Sequence, residues 1–326
     1  MELRKDPITR SWVVIGQMER PSQRDVPCPL CPENRDGRRS LLELPEQGAA
    51  QVRVFPHFQP FYRIEGDPGR SAEGIFDRMD AVGAHEIVVE TPEHGRRLVD
   101  LSDEEIERVL AAYAARIGDL KRDARFKYVT VFKNYGAGAA EEWPHAHSQV
   151  AATTFVPRRV LYELRAARDW YRQRERCVFC DILRQELRQQ ARVVDTVGDY
   201  VAFCPYASRV PFETWIMPRQ HNHQFEAPLP GENRRELAEL LGRTLRRIAK
   251  VTTSYHMVVH TAPSTLQTKG ELSEYWRTIA GDYHWHLEIL PIMETRSESY
   301  SLKEVYFNGT YPEQAAERLR QADPGR

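Results

Sequence analysis

Three observations place this chain in the α+β class as an internal duplication. A C-x-x-C pair occurs in each half, the elements after each pair follow in one order, and each half closes on His-x-His at an alternating apolar run. In the first half Cys28-Pro29-Leu30-Cys31 leads to expected strands at 52–55 and 85–90 and the turn Thr91-Pro92-Glu93-His94. A helix then opens at Ser102, with Asp103, Glu104 and Glu105 in its first turn and Ile106, Val109, Leu110, Tyr113, Ile117 and Leu120 on one face. A strand at 128–132 and His145-Ala146-His147 complete the unit.

The second half repeats the order with Cys177-Val178-Phe179-Cys180, strands at 200–204 and 212–217, and a turn ending in His221. Leu237, Leu240, Leu241, Leu245 and Ile248 predict a helix over 231–251, followed by a strand at 255–259 and by His284-Trp285-His286. A helix over 161–174 separates the halves, which places the division at 1–158 and 159–326. A short strand is expected at Trp12-Val13-Val14-Ile15, ahead of the polar loop at Arg20-Pro21.

Composition is that of a globular protein: 326 residues, 41% hydrophobic and 29% charged, with a formal charge of -1. No global basic field favours nucleic acid or a membrane surface, and the start Met1-Glu2-Leu3-Arg4-Lys5-Asp6 carries no apolar signal. A cytoplasmic protein is expected. In that reducing setting five cysteines, four of them in C-x-x-C pairs, favour metal or redox chemistry over disulfides. No thioredoxin-type strand and helix surround the first pair, so zinc is preferred.

Each half offers two thiolates and two imidazoles, the composition of a closed tetrahedral zinc site. The expected ligands are Cys28, Cys31, His94 and His145 for one metal, and Cys177, Cys180, His221 and His284 for the other, with His223 as the alternative to His221. Closed sites staple loops and leave no position for substrate. His147 is then free to attack phosphorus, provided its other ring nitrogen donates to a backbone carbonyl. Gln149, two residues on, can hold a phosphoryl oxygen but cannot activate water, which points to group transfer over hydrolysis. His286 is the counterpart of His147 and is assigned to substrate binding, but Glu288 stands where Gln149 does and would repel phosphate. One chemical half and one supporting half are expected.

These landmarks resemble the galactose-1-phosphate uridylyltransferase family of the histidine triad superfamily over nearly the whole chain. The matching residues are Asp6-Pro7-Ile8-Thr9 with Trp12 and Arg20-Pro21, Cys28 and Cys31, Thr91-Pro92-Glu93-His94, His145-Ala146-His147-Ser148-Gln149, and the helix at 312–320. The resemblance implies histidine-triad-like half-barrels of antiparallel sheet packed with helices, and a homodimer. It also implies a ping-pong nucleotidyl transfer between a nucleotide sugar and a sugar phosphate through a nucleotidyl-His147 intermediate. By the same likeness Arg20 approaches the nucleotide phosphates, Asn134, Gly136 and Gly138 line the phosphate site, and Phe55 and His57 stand in the segment that handles the nucleotide.

The usual H-P-H-G-Q core has Ala146 and Ser148 here, so Ser148 is expected to add a substrate hydrogen bond. The second C-x-x-C is more like the ADP-glucose phosphorylase branch, and the glycine-rich hexose segment reads 299–305 without its glycines. Uridylyl transfer to a hexose 1-phosphate is the leading expectation. The alternatives are an ADP-glucose phosphorylase or adenylyltransferase of the same chemistry, and a non-catalytic zinc-stapled binding protein.

Overall fold

The alternating apolar runs of both halves meet in one sheet. A computed structural model describes residues 1–17, 27–34, 37–228, 233–266, 276–293, 299–302 and 305–323. The first half supplies β1 (Leu42–Leu44), β2 (Val52–Pro56), β3 (Gly83–Val89), β4 (Tyr128–Tyr135) and β5 (His147–Thr153). The second supplies β6 (Val193–Val197), β7 (Tyr200–Phe203), β8 (Thr214–Pro218), β9 (Tyr255–His260) and β10 (His286–Pro291). They form a ten-stranded sheet in the order β6-β7-β8-β10-β9-β4-β5-β3-β2-β1, antiparallel throughout.

Read outward from the centre, each half therefore has the same strand order, and β4 and β9 join them. Tyr135 pairs with Tyr255 and Val131 with Val259 across this seam. Alone, either half would present a valine-rich edge to solvent, and edge-to-edge pairing removes both. Register makes the duplication quantitative: Phe132 lies opposite Gln149 as Val258 lies opposite Glu288. Stepping along the same ladders equates His147 with His286 and Asn134 with His260.

Strand alternation gives the sheet two faces. On one, Val129, Val131, Val150, Ala152, Met257, Val259, Leu287 and Ile289 pack under α1 (Asp103–Leu120) and α4 (Arg234–Ile248). Ser102 and Glu105 close the reciprocal capping box expected at the start of α1. Each fully buried leucine or isoleucine of these helices contributes roughly 1.5–3 kcal/mol by leaving water.

The opposite face differs between the halves. In the second it lies under α2 (Arg158–Arg174), α3 (Val178–Gln189) and the short α5 (Ile279–Asp282), with Val160, Leu164, Phe179, Leu183, Phe203 and Tyr283 in a common core. In the first half the long-helix cover is missing among the described residues, and loops carrying His57 and Trp143 border that face. A separate four-stranded sheet contains the strand expected at Trp12–Ile15. The C-terminal helix α6 (Pro312–Gln321) docks Ala315, Ala316 and Leu319 on the first core.

Three elements depart from expectation. β4 runs past 132 to Tyr135, because Lys133 is buried as the partner of Glu90 and does not end the strand. β5 begins at His147, so of the His-x-His placed at the alternating run only the second histidine lies in the strand and His145 precedes it. The second C-x-x-C is not a knuckle like the first: Cys177 caps α3 and Cys180 lies in its first turn. No helix among the described residues is long and apolar enough to cross a membrane.

Candidate active site and metal centres

The first turn of β5 sets the state of His147. Its Nδ1–H donates to the His145 carbonyl at 2.7 Å, which leaves the Nε2 lone pair unprotonated. Burial, helped by the nearby Lys133 ammonium, pushes its pKa down to about 4, so the ring is neutral near pH 7. The Trp143 ring meets it edge-on at 5.5 Å. Behind the strand, Lys133 Nζ donates to the His147 carbonyl and to Glu90, each at 2.8 Å. Glu90 is also bonded to Ser148 Oγ and accepts from Tyr113 Oη at 3.1 Å. The expected substrate contact of Ser148 is therefore corrected: alternation turns it to the α1 face, where it is wholly buried in this network.

Gln149 does share the His147 face, and its Oε1 lies 2.8 Å from His85 Nε2. The His85 ring stacks on His57 at 4.1 Å, and His57 Nε2–H donates to Glu142 at 3.1 Å. An open groove beside His57 is bounded by Arg38, Leu41 and Phe58, with the Arg38 guanidinium on the Phe58 ring. Phe55 lines a smaller neighbouring pocket between β2 and the first C-x-x-C.

The loop expected to cradle phosphate is occupied otherwise. Asn134 Oδ1 accepts from His256 Nδ1–H at 2.8 Å, the Gly136 N–H donates to Glu141 and the Gly138 N–H to Ser254. Gly136 has φ +83, and a Cβ there would fall 2.3 Å from the Thr253 carbonyl oxygen. Its glycine serves the seam between halves, and the Gly136 and Gly138 N–H groups are bonded within the chain, whereas Asn134, two residues on from Phe132 in β4, stands at the register position opposite His147 with its Oδ1 taken by His256. Arg20 lies outside the described residues.

Both expected metal sets converge. Cys28, Cys31, His94 and His145 place one donor atom each within 4.8 Å of one another, as do Cys177, Cys180, His221 and His284. Cys31 Sγ is 3.4 Å from His94 Nδ1 and 3.5 Å from His145 Nδ1; Cys180 Sγ is 3.3 and 3.4 Å from the His221 and His284 Nδ1 atoms. Two ligands at tetrahedral zinc, with Zn–S about 2.3 Å and Zn–N about 2.0 Å, stand about 3.5 Å apart, so the donors fit. The far nitrogens of His145 and His221 donate to the Thr91 and Ala280 carbonyls at 2.8 and 2.9 Å, fixing Nδ1 as the ligand atom. His223 stands outside the cluster.

A third group was not anticipated: Glu163, His260, His286 and Glu288 also gather their donor atoms within 4.8 Å and could hold a metal ion. Burial alone would depress the His260 imidazolium, but the Glu163 and Glu288 carboxylates overcome it and push its pKa up to about 10. Arg209 donates to Glu288 at 2.7 Å. His286, stacked on His260 and Trp215, is pushed down to about 4 by burial and by His260. It is fully buried beneath Glu163 of α2, so its expected role in substrate binding finds no open surface. The available signal was a glutamate close to Val160, Leu164 and Ala167 on the buried stripe of α2.

The pattern of the galactose-1-phosphate uridyl transferase N-terminal domain matches residues 8–157. An ADP-glucose phosphorylase from Arabidopsis thaliana is 27% identical over 98% of this chain and 92% of its own length. A galactose-1-phosphate uridylyltransferase from Thermotoga maritima is 27% identical over 99% of both. Among solved structures, a uridylyltransferase superposes with a TM-score of 0.81 at 28% identity, covering 99% of this chain and 98% of that one. The Arabidopsis thaliana ADP-glucose phosphorylase with bound ADP-glucose gives 0.76 at 27% identity, with 98% of each chain covered. With its site geometry and full-length likeness in agreement, the first half of the chain carries the pattern of that N-terminal domain, and the whole chain is similar to galactose-1-phosphate uridylyltransferases and to an ADP-glucose phosphorylase.

Proposed function

We propose that this enzyme is a nucleotidyltransferase that moves a nucleoside monophosphate, UMP in the leading reading, from a nucleotide sugar to a hexose 1-phosphate. His147 Nε2 attacks the α-phosphorus, a P–N bond forms, and the P–O bond to the departing sugar 1-phosphate breaks. The acceptor phosphate oxygen then displaces histidine and regenerates the neutral ring. The single observation that carries the reading is the hydrogen bond from His147 Nδ1–H to the His145 carbonyl, which presents the Nε2 lone pair. Gln149 supplies amide donors to a phosphoryl oxygen, and Phe55 and His57 border the nucleotide.

Zinc suits the two Cys2His2 clusters, and its chemistry there is structural. His145 belongs to the first cluster and also offers the carbonyl that holds His147, so that metal site supports the orientation of the nucleophile. The division into a catalytic half, 1–158, and a supporting half, 159–326, is part of the same proposal, as are a homodimer and a cytoplasmic setting. A second reading, adenylyl transfer or phosphorolysis of ADP-glucose, is favoured by the second cluster and by the ADP-glucose phosphorylase relative.

Intact mass after brief exposure to UDP-glucose, and separately to ADP-glucose, tests both. An acid-labile nucleotidyl adduct on wild type and none on His147→Ala is the expected result, and the donor that leaves the adduct identifies the base. No adduct from either donor on zinc-loaded protein overturns the covalent mechanism.

A further inference from the structure

We infer that His85 is a positioning residue that fixes the Gln149 amide with its NH2 group, and not its carbonyl, turned toward the phosphoryl group at His147. The inference deepens the nucleotidyl-transfer reading and rests on it. An amide can sit in either of two flips of nearly equal shape. In the wrong one, carbonyl lone pairs would face anionic phosphoryl oxygens and oppose the transition state, so something must choose.

The hydrogen bonds of His85 make the choice. The Phe61 N–H donates to His85 Nδ1 at 3.2 Å, so Nδ1 is an acceptor and carries no proton. A neutral imidazole then has its one proton on Nε2, and Nε2 is the atom 2.8 Å from Gln149 Oε1. His85 Nε2–H therefore donates to the amide oxygen and the NH2 must lie at the other end. Independently, Gln149 Nε2 lies 3.5 Å from a Glu142 carboxylate oxygen, as an amide donor should. Burial, the largest influence, and the neighbouring His57 lower the His85 pKa to about 4, which keeps the ring in the single-proton form. Stacking against His57 at 4.1 Å and Phe61 at 4.9 Å holds its plane.

The duplication gives an independent view of the same device. Ile87 lies opposite Gln149 as Trp215 lies opposite Glu288, so the residue two positions back is His85 in one half and Glu213 in the other. Glu213 likewise governs its partner position, through Arg209, which donates to Glu213 at 2.6 Å and to Glu288 at 2.7 Å. Where the controlled residue is a neutral amide the controller is a neutral imidazole. Where it is a carboxylate, an arginine bridge is used.

The test uses the full-length protein and four variants: H85N, H85Q, Q149A and H85N/Q149A. Asparagine can replace Nδ1 as the acceptor for Phe61 but cannot reach Gln149, whereas glutamine restores an N–H near the place of Nε2–H. H85N should slow adduct formation by roughly 30-fold with the donor KM within about twofold, the scale of a misplaced transition-state donor. H85Q should recover about tenfold of that loss, and H85N/Q149A should be no slower than Q149A. An H85N rate within about twofold of wild type, or losses in H85N and Q149A that multiply, would overturn the inference. Long-range 15N–1H NMR of the wild-type imidazoles separates this from the wider reading and requires no variant to fold. A His85 proton on Nε2 supports the inference and a proton on Nδ1 overturns it, whether or not an adduct forms.

Discussion

Equivalent strands in the two halves carry opposite chemistry. His147 and His286 occupy the same register, and each directs Nδ1–H at the carbonyl of the metal-cluster histidine two residues earlier, at 2.7 and 3.2 Å. Yet His147 is bordered by Trp143 and by a neutral His85–Gln149 pair, while His286 is enclosed by Glu163, Glu288, His260 and Trp215. Backbone geometry alone therefore prepares a nucleophilic tautomer twice. In the proposed reaction what distinguishes them is the cover: α2 carries a carboxylate onto the second site and seals it, and two carboxylates would repel a phosphate. A buried ion network of this kind costs desolvation, and a removed partner leaves an unpaired charge, so its members hold one another in place.

The sharpest way to break this comparison is to remove each histidine in turn. His147→Ala should lower adduct formation by at least roughly 10^4-fold, as loss of a nucleophile does. His286→Ala should retain the adduct in every folded molecule, and peptide mapping should find the nucleotidyl group on His147 alone. A modified His286 would end the division into chemical and supporting halves.

The metal clusters offer the next contrast. Cys31→Ala and Cys180→Ala should each lose one zinc per chain and cost more than about 4 kcal/mol, on the scale of a lost structural metal. Only Cys31→Ala should also slow adduct formation in the folded fraction, because His145 then loses the clamp on the carbonyl that orients His147. Equal kinetic effects in the two variants would mean that the clusters are not specialised.

A smaller effect is expected behind the strand. Lys133 and Glu90 have fully buried side chains and hold the first half of the site from below. Lys133→Met should cost about 3 kcal/mol in denaturant unfolding, since it leaves Glu90 charged and unpaired, and Lys133→Met with Glu90→Gln should recover part of that. No recovery would show that Lys133 acts through the His147 carbonyl alone.

Much of this was legible in the chain because short-range rules carry it. The capping box at Ser102 and Glu105, the apolar stripes of α1 and α4, and the order of thiols and imidazoles are patterns within a few residues or repeats of them. Pairings across long separations were not legible. Lys133 reads as the end of a strand until Glu90 neutralises it, and that shift draws Asn134 from the expected loop into β4. Ser148 was assigned to substrate, although alternation from His147 already put it on the far face. Glu163 looks like one more charge on a helix until the fold lays α2 over His286. His85 reads as a strand residue until the Phe61 N–H assigns its proton.

The mildest contrast concerns pH. His85 has a folded pKa lowered from 6.5 to about 4, so it contributes stability that is fully present above pH 6.5 and is lost as pH falls through about 4. In the unfolded chain the ring takes a proton near pH 6.5, while the folded site refuses it until the acid limit. By that linkage the wild type should lose about 2 kcal/mol through this one group between pH 7 and pH 5. H85Q has no such proton to take up, so its unfolding free energy should fall less steeply over the same range, by up to one proton in the slope. Its counterpart Glu213 is held in an arginine bridge in the other half, so Glu213→Gln leaves the His85 ring untouched and should keep the His85 contribution to the slope between pH 7 and pH 5. Urea unfolding of the three proteins at several pH values reads the difference directly. If H85Q and wild type fall in parallel, the His85 ring is protonated in the folded protein, and the neutral donor assigned to it would be wrong.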